Sequence, residues 1–338
     1  MLNLFQSFFG GEKSRSHYPE SLIEAAIERA VDGTDARLRH LPGYRNSLRK
    51  PVIHAVDHVV ALIDALPAPL AAGREDFSTD PRLAALFVSA AQMQEVFGRD
   101  RALNAYMKQA SVAAERVTAL LMAERVEKNV LGVDQVGGQL RRDVAQVTVS
   151  FRKHQLMEAA EDEAESRRLL KRRAFDHLLA LALARIVEMR GERADLVRQR
   201  DVLRHKLATL ARNGWGFDAA DAEDEAEAAD PASLQSDLAD VEQQLQELGA
   251  DSGVLGTHLE CVADLLSQAE QQLKIENVCM RLDSMNIQRD AQDAAAHDIV
   301  LPELHNARGQ RSVLLLVSII PGDLPQQENL LATAHRYL

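Results

Sequence analysis

Between Phe175 and Met280 apolar residues recur in alternating steps of four and three. A sustained repeat of that kind leaves a chain few options besides paired helices. The C-terminal run passes through Leu234, Leu238, Val241, Leu245, Leu248, Ser252, Leu255, Leu259, Val262, Leu266, Ala269, Leu273, Glu276 and Met280. A second run passes through Phe175, Leu179, Ala182, Ile186, Met189, Arg193, Leu196, Arg200, Leu203, Leu207 and Leu210. The expectation is one long antiparallel coiled-coil hairpin. Folding about the intervening loop sets Leu207 against Leu238, Leu203 against Val241, Ile186 against Leu259 and Phe175 against Ala269. In that register Arg193 faces Ser252 amid Gly249, Gly253 and Gly256, and because glycine weakens a helix a soft point is predicted there.

Charge supports pairing within one chain. Residues 167–212 carry 13 Lys and Arg against 5 Asp and Glu, a net of +8, whereas residues 232–283 carry 2 against 10, a net of −8. Opposed arms attract, while two copies of the first arm side by side repel. The basic run Arg167, Arg168, Lys171, Arg172 and Arg173 is therefore read as answered by the second arm and by the preceding Glu158, Glu161, Asp162, Glu163 and Glu165. The loop of residues 213–231 holds seven acidic residues, no basic ones, and Trp215 and Phe217. Its plain reading is a solvated connector. Its functional reading is a partner-docking tip, for which tryptophan is a favoured anchor. The acidic stretch lacks the glycine and ligand spacing of a calcium-binding EF-hand loop.

Composition narrows the class further. Aromatic residues are only 4% of 338 while hydrophobic residues reach 46%, a balance that favours helices. A net charge of −12 argues against nucleic acid as a partner, because phosphate binding draws on surplus Lys and Arg. Cys261 and Cys279, if they shared one helix, would be about 27 Å apart and unable to pair. Unpaired cysteines are read as a reducing compartment and a cytoplasmic protein. The longest apolar runs, such as Val313 to Ile320, fall well short of the roughly 20 residues of a membrane span.

Helical periodicity also marks Tyr18–Ala30, Lys50–Leu66, Pro81–Phe97 and Arg101–Glu127, a predicted N-terminal bundle over residues 18–128. Thr79-Asp80-Pro81 is a helix start, with a capping side chain before a proline suited to the first turn. From Asn129 the period drops to two, and Val147, Val149 and Phe151 alternate with polar residues as in a strand, after a break expected at Gly137-Gly138. Asp298–Leu304 and Arg311–Ile320 form a second strand pair, the latter read as buried on both faces and Pro302 as marking a sheet edge. The fold class is thus mainly α, an N-terminal helical bundle plus the hairpin, with a small mainly antiparallel sheet at its base (α+β). The segments are 1–17, an apolar terminus; 18–128, helical; 129–158, β; 159–285, the hairpin; and 286–338, a β hairpin and tail completing the sheet.

Chemistry-bearing motifs are scarce. His54 and His58 stand one helical turn apart in a spacing a metal can use, but no glutamate follows His54 and no third ligand is placed, so surface or capping histidines are the better account. There is no phosphate-binding glycine loop and no nucleophile elbow. No catalytic, cofactor or metal residue is assigned, and no cofactor is expected. The terminus carries Leu2, Leu4, Phe5, Phe8 and Phe9, for which three destinations compete: the chain's own helical part, a partner groove, or a membrane surface reached by residues 1–15. The leading expectation is a non-enzymatic scaffold or adaptor presenting Trp215 and Phe217 to an unknown protein partner, with Leu4, Phe5, Phe8 and Phe9 as further contacts. The alternatives are a peripheral membrane protein tethered by its terminus and an enzyme with a composite site. Unused apolar faces leave a homo-oligomer open.

Overall fold

The computed structural model describes residues 18–109, 115–136, 139–213, 231–247, 253–290, 293, 296–306 and 311–325. The fold is α+β. In chain order the elements are α1 (Glu20–Gly33), a 3-10 turn (Ala36–His40), α2 (Tyr44–Asp64), β1 (Leu70–Ala71), a 3-10 turn (Asp76–Ser78), α3 (Pro81–Leu86), α4 (Ala90–Arg99) and α5 (Arg101–Gln109). They continue with β2 (Val117–Val136), β3 (Gln139–Ala160), α6 (Glu163–Asn213), α7 (Pro231–Glu247), α8 (Val254–Ser267), α9 (Ala269–Gln272), β4 (Leu273–Leu282), β5 (His297–Asn306), β6 (Arg311–Ile319) and a last 3-10 turn (Pro321–Asp323). Two compact units result, one from Tyr18, Val56–Phe175 and the described residues from Gln268 onward, the other from Pro19–Ala55 and Asp176–Ser267.

The first unit contains a six-stranded sheet in the order β3-β2-β6-β5-β4, with β1 parallel beside β6. Along β6, Val313, Leu315, Val317 and Ile319 join one core with Leu83, Phe87, Met93, Phe97 and Leu103 of the α3–α5 region. Leu314 and Leu316 point the other way, into a second core with Ile63, Leu66 and Leu170. Both faces of this strand are covered, which is why the run shows no polar alternation. β2 repeats the division, with Val117, Ala119, Leu121 and Ala123 in the first core and Leu120 in the second. Asp80 caps α3 by accepting from Arg82 N at 2.8 Å, with Pro81 in the first turn as expected.

Several readings of the sequence are corrected. The helix expected over Arg101–Glu127 ends at Gln109, and Val117–Val136 is strand. Val117, Leu120 and Leu121 satisfy helical spacing, but a strand buried on both faces produces the same apolar positions, and pairing with β6 and β3 decides between them. Pro81–Phe97 divides into α3 and α4, with Ser89 capping the second by accepting from Gln92 N. The sheet is larger than expected, since β2 and β3 run for 20 and 22 residues. Pro302 lies in β5, which has partners on both sides at Glu303–His305; the ladder with β6 stops at Glu303, next to the proline, which has no N–H to donate. Gly137-Gly138 lies outside the described residues.

The C-terminal helical run is also shorter than its repeat. Leu273, Glu276 and Met280 belong to β4, which pairs with β5 residue by residue from Leu273↔Asn306 to Leu282↔His297. Seven is an odd number, so Leu273 and Met280 share a helix face but take opposite faces of a strand. Cys261 on α8 and Cys279 on β4 therefore share no helix, and both are free thiols. Of the predicted soft point, Gly249 and Ser252 lie outside the described residues, and α6 is helical through Arg193.

The basic run finds its partners locally and not on the second arm. Arg167 pairs with Glu163 and donates to the carbonyls of Ile63, Leu66 and Pro67; Arg168 pairs with Glu165; Lys171 pairs with Asp64; Arg173 pairs with Glu158. These bonds fasten the start of α6 to the end of α2 and to β3.

In the second unit α1 buries Leu22, Ile23, Ala26, Ile27, Ala30 and Val31 along one stripe. Gly33 ends the helix where a Cβ would stand 3.0 Å from Leu179 Cδ1, so α1 and α6 approach closely there and a side chain would require Leu179 to shift. Arg29 grips Asp176 with two parallel bonds. α6 contributes Leu178, Leu179, Ala182 and Ile186 as buried residues, and α8 contributes His258, Val262 and Leu266.

In the sheet, Glu303 is 1% exposed and receives Arg125 Nε and Nη2 at 3.2 and 3.0 Å. Removing Glu303 leaves the largely buried Arg125 with only the half-exposed Glu127 as ion-pair partner. Glu303→Ala is expected to lower unfolding free energy by about 2–3 kcal/mol, and Glu303→Gln by less, as read by denaturant titration.

Candidate functional site

The sequence-derived candidates separate as follows. Trp215, Phe217, Leu4, Phe5, Phe8 and Phe9 lie outside the described residues. His54 and His58 are both half-buried, and His58 Nε2 donates to the carbonyl of Leu273 at 2.8 Å, which is a structural bond. Among the described residues no group of three metal-capable side chains comes together. Two other constellations do form.

The first is a buried knot on Asp35 in the second unit. Asp35 follows α1 and caps the 3-10 turn, accepting from Arg37 N at 3.2 Å, while Arg37 Nε and Nη2 reach its two oxygens at 3.0 and 2.9 Å. Arg190 of α6 donates to Oδ2, and His258 Nδ1 of α8 lies 3.0 Å from the same atom. One carboxylate thereby ties three segments together. The side chains of Asp35 and His258 are only 5% and 3% exposed.

Electrostatics assign the protons. The bond from Arg37 is the largest of the effects holding the Asp35 carboxyl below its usual range, with His258 and Arg190 acting in the same sense. Burial pushes the His258 imidazole down, and the Arg190 and Arg37 charges add to that against the opposing pull of Asp35. The pair is thus ionised Asp35 with neutral His258, Nδ1–H donating. An Asp–His pair of this kind activates a nucleophile where one is in reach. The cysteine one turn along α8, Cys261, has its thiol pushed up by burial, the reverse of what a nucleophile requires. The bonds on Asp35 make the knot a structural lock between the 3-10 turn, α6 and α8.

The second constellation is a cleft of about 730 Å³ in the first unit, lined by residues of α4 and α5 and by residues 154–159 of β3, with Arg173. β3 carries irregularities at both ends of this stretch. Its register with β2 shifts opposite Ala123 and again opposite Ala119, where Lys153 and Glu158 adopt φ of 53° and 51°. These are left-handed positions that glycine normally fills in a β-bulge, and a larger residue there costs about 1–2 kcal/mol.

Asp100 joins the cleft's two walls. Its Oδ1 accepts from Leu103 N at 3.0 Å, capping α5, and its Oδ2 accepts from Leu156 N on β3 at 2.9 Å. Glu158 takes Arg173 at 2.8 Å, and its carbonyl accepts from the buried Ser166 hydroxyl. The His154 ring stacks on Phe87 with centroids 4.6 Å apart, and its Nε2 donates to the Leu86 carbonyl at 3.0 Å. Burial holds His154 below its ordinary value, so Nδ1 keeps its lone pair. Burial raises the Tyr106 phenol, with the charges of Glu161, Asp162 and Glu165 adding to it, so its hydroxyl stays a donor.

No local motif announces either constellation. Asp35 and His258 are 223 residues apart, and Asp100 and Leu156 are 56. The one readable hint was Asp100 standing just ahead of a helical run, as a cap does. Compared with protein-family models, with curated proteins and with solved structures, the chain matches none.

Since His258 is held below its ordinary value, the unfolded chain takes up a proton first as pH falls. The second unit is expected to keep full stability above about pH 6.5 and to lose it progressively below, with Asp35 adding a further loss below about pH 4. His258→Gln is expected to reduce the slope of the limb between about pH 6.5 and 5 in thermal-unfolding profiles, His154 carrying part of what remains, while leaving the more acidic limb in place.

Proposed function

We propose that this chain is a non-enzymatic scaffold or adaptor of the cytoplasm, in which α6 and α7 pair as an antiparallel coiled coil and residues 214–230 between them dock a protein partner. The N-terminal helices form the bundle that accompanies it. The observation that carries this reading is the bond from Arg204 on α6 to Glu242 on α7, at 2.6 Å. The register drawn from the heptads sets Leu203 against Val241, and this ion pair joins the residues that follow each of them, flanking the seam. It also joins the positive arm to the negative one, as complementary charges of +8 and −8 require. Leu234, a seam position of α7, is buried.

The engagement of Asp100 and Glu158 in structural bonds supports a binding role over a reactive one. Among the described residues no helix is long and apolar enough to cross a membrane.

Two measurements test the reading. A Leu203→Cys/Val241→Cys variant, with Cys261 and Cys279 changed to Ser, is expected to oxidise to an intramolecular disulfide seen as a faster-running monomer without reductant; intermolecular dimers or free thiols would contradict the register. Deleting residues 214–230 is expected to remove specific co-purifying protein while leaving the thermal midpoint of the chain within a few degrees. Unchanged co-purification would refute the docking role.

A further inference from the structure

The cleft between α5 and β3 has features that structural roles do not exhaust. Its volume of about 730 Å³ falls within the range of small-molecule sites. Its carboxylates are occupied: Asp100 caps α5 and holds Leu156 N, and Glu158 pairs with Arg173. The acids beyond it are largely engaged too, Glu165 with Arg168 and Asp162 as the acceptor for Glu165 N, leaving Glu161 exposed to solvent. Arg101, in the first turn of α5 and on the cleft wall, makes no bond to any described side chain and is exposed. In a chain of net charge −12 it is a positive group with no ion-pair partner among the described residues, next to the carboxylate of Asp100, which bonds only to backbone N–H groups. Beyond it along α5 the wall is Ala102 and Ala105, whose small side chains leave room, facing Leu156 and Ala159. The far polar groups are the Tyr106 hydroxyl, a donor, and His154, whose Nε2 is already spent on Leu86.

We propose that this cleft binds a small organic anion with an apolar body, Arg101 taking the anionic group, the alanine face of α5 taking the body, and Tyr106 and His154 supplying one donor and one acceptor for orientation. Arg101 suits a carboxylate or a phosphate, since its planar fork matches two acceptor oxygens. The acceptor left on His154 favours a ligand that also carries a hydroxyl or N–H. The bulges at Lys153 and Glu158 then have a role, because they make β3 irregular at the two ends of the stretch that lines the cleft. Strained backbone of this kind is often found at binding sites, where it preorganises the surface. This site is independent of the hairpin reading, and either stands if the other fails.

The test uses the full chain and four probes of matched size: benzoate, 4-hydroxybenzoate, benzyl alcohol and benzamidine, titrated by calorimetry and by saturation-transfer NMR. Benzoate is expected to bind saturably, 4-hydroxybenzoate more tightly, and the neutral and cationic probes at least tenfold more weakly. Arg101→Glu is expected to weaken benzoate by tenfold or more, the loss of one charge-assisted contact. Ala105→Leu, which fills the cleft without touching charge, is expected to weaken both carboxylates together, with circular dichroism and the thermal midpoint checking that each variant is folded. No saturable binding of either carboxylate, equal binding of benzamidine, or benzoate affinity that survives Arg101→Glu in a folded protein would each overturn the proposal.

Discussion

The sheet-bearing unit depends on β6, a strand with apolar side chains on both faces and partners on both edges. Every backbone amide and carbonyl of such a strand must be satisfied by neighbours, because water is excluded from it. β2 supplies one edge along Val117 to Glu124, and the other is shared by β5 near one end and β1 near the other. The parallel two-residue β1 makes sense only in this light. It pairs with Val317 and Ser318, beyond the Arg311–Val313 stretch that β5 reaches, and Ala72 N adds a bond by donating to Ser318 O. The two cores then follow from side-chain alternation along β6 and β2, one filled by α3–α5 and the other by the end of α2 and the start of α6.

The second unit solves a different problem. Asp35 is one buried negative charge shared by two arginines and a neutral histidine, and its value lies in direction more than in net energy. A buried ion pair rarely gains much over apolar packing, but it admits few alternative arrangements. A 3-10 turn, one turn of α6 and one turn of α8 must each be in place for all the bonds on Asp35 to form. Register along helices whose apolar positions repeat every seven residues is easily slipped, and such a polar anchor resists slippage.

In both units the polar residues that matter are those whose bonding is already complete, and those that stand out are the exceptions. Asp100 and Glu158 are consumed in holding β3 to α5 and α6, and Lys153 and Glu158 carry strained backbone that a straight edge strand would not need. Arg101 beside them is not consumed. A wall of alanines and a strand made irregular by two bulges make a space, and a guanidinium with no ion-pair partner among the described residues gives that space a chemical preference.

Local pattern was legible where one element decides its own shape. The Asp80-Pro81 start, the paired strands near the C-terminus and the long helical run of α6 could all be read from spacing and capping chemistry. The reading failed where neighbours decide. Val117 to Glu127 is compatible with a helix or a doubly buried strand, and only β6 and β3, contributed from more than 20 residues away, select the strand. Leu273 and Met280 continue a heptad perfectly well yet fold as β4, because pairing with β5 satisfies their backbone in a way no helix repeat foretells. The candidate sites were invisible for the same reason. Asp35, Arg190 and His258 carry no common spacing, and nothing in a row of letters marks a bulge at Lys153 where glycine would be the natural choice. Amphipathic period, charge balance and capping signals were set by the sequence alone, since they are short-range properties of a chain. Which apolar run became strand, which carboxylate was buried and which arginine was left unpaired were decided only by tertiary packing, since each depends on groups that meet only when the chain has folded.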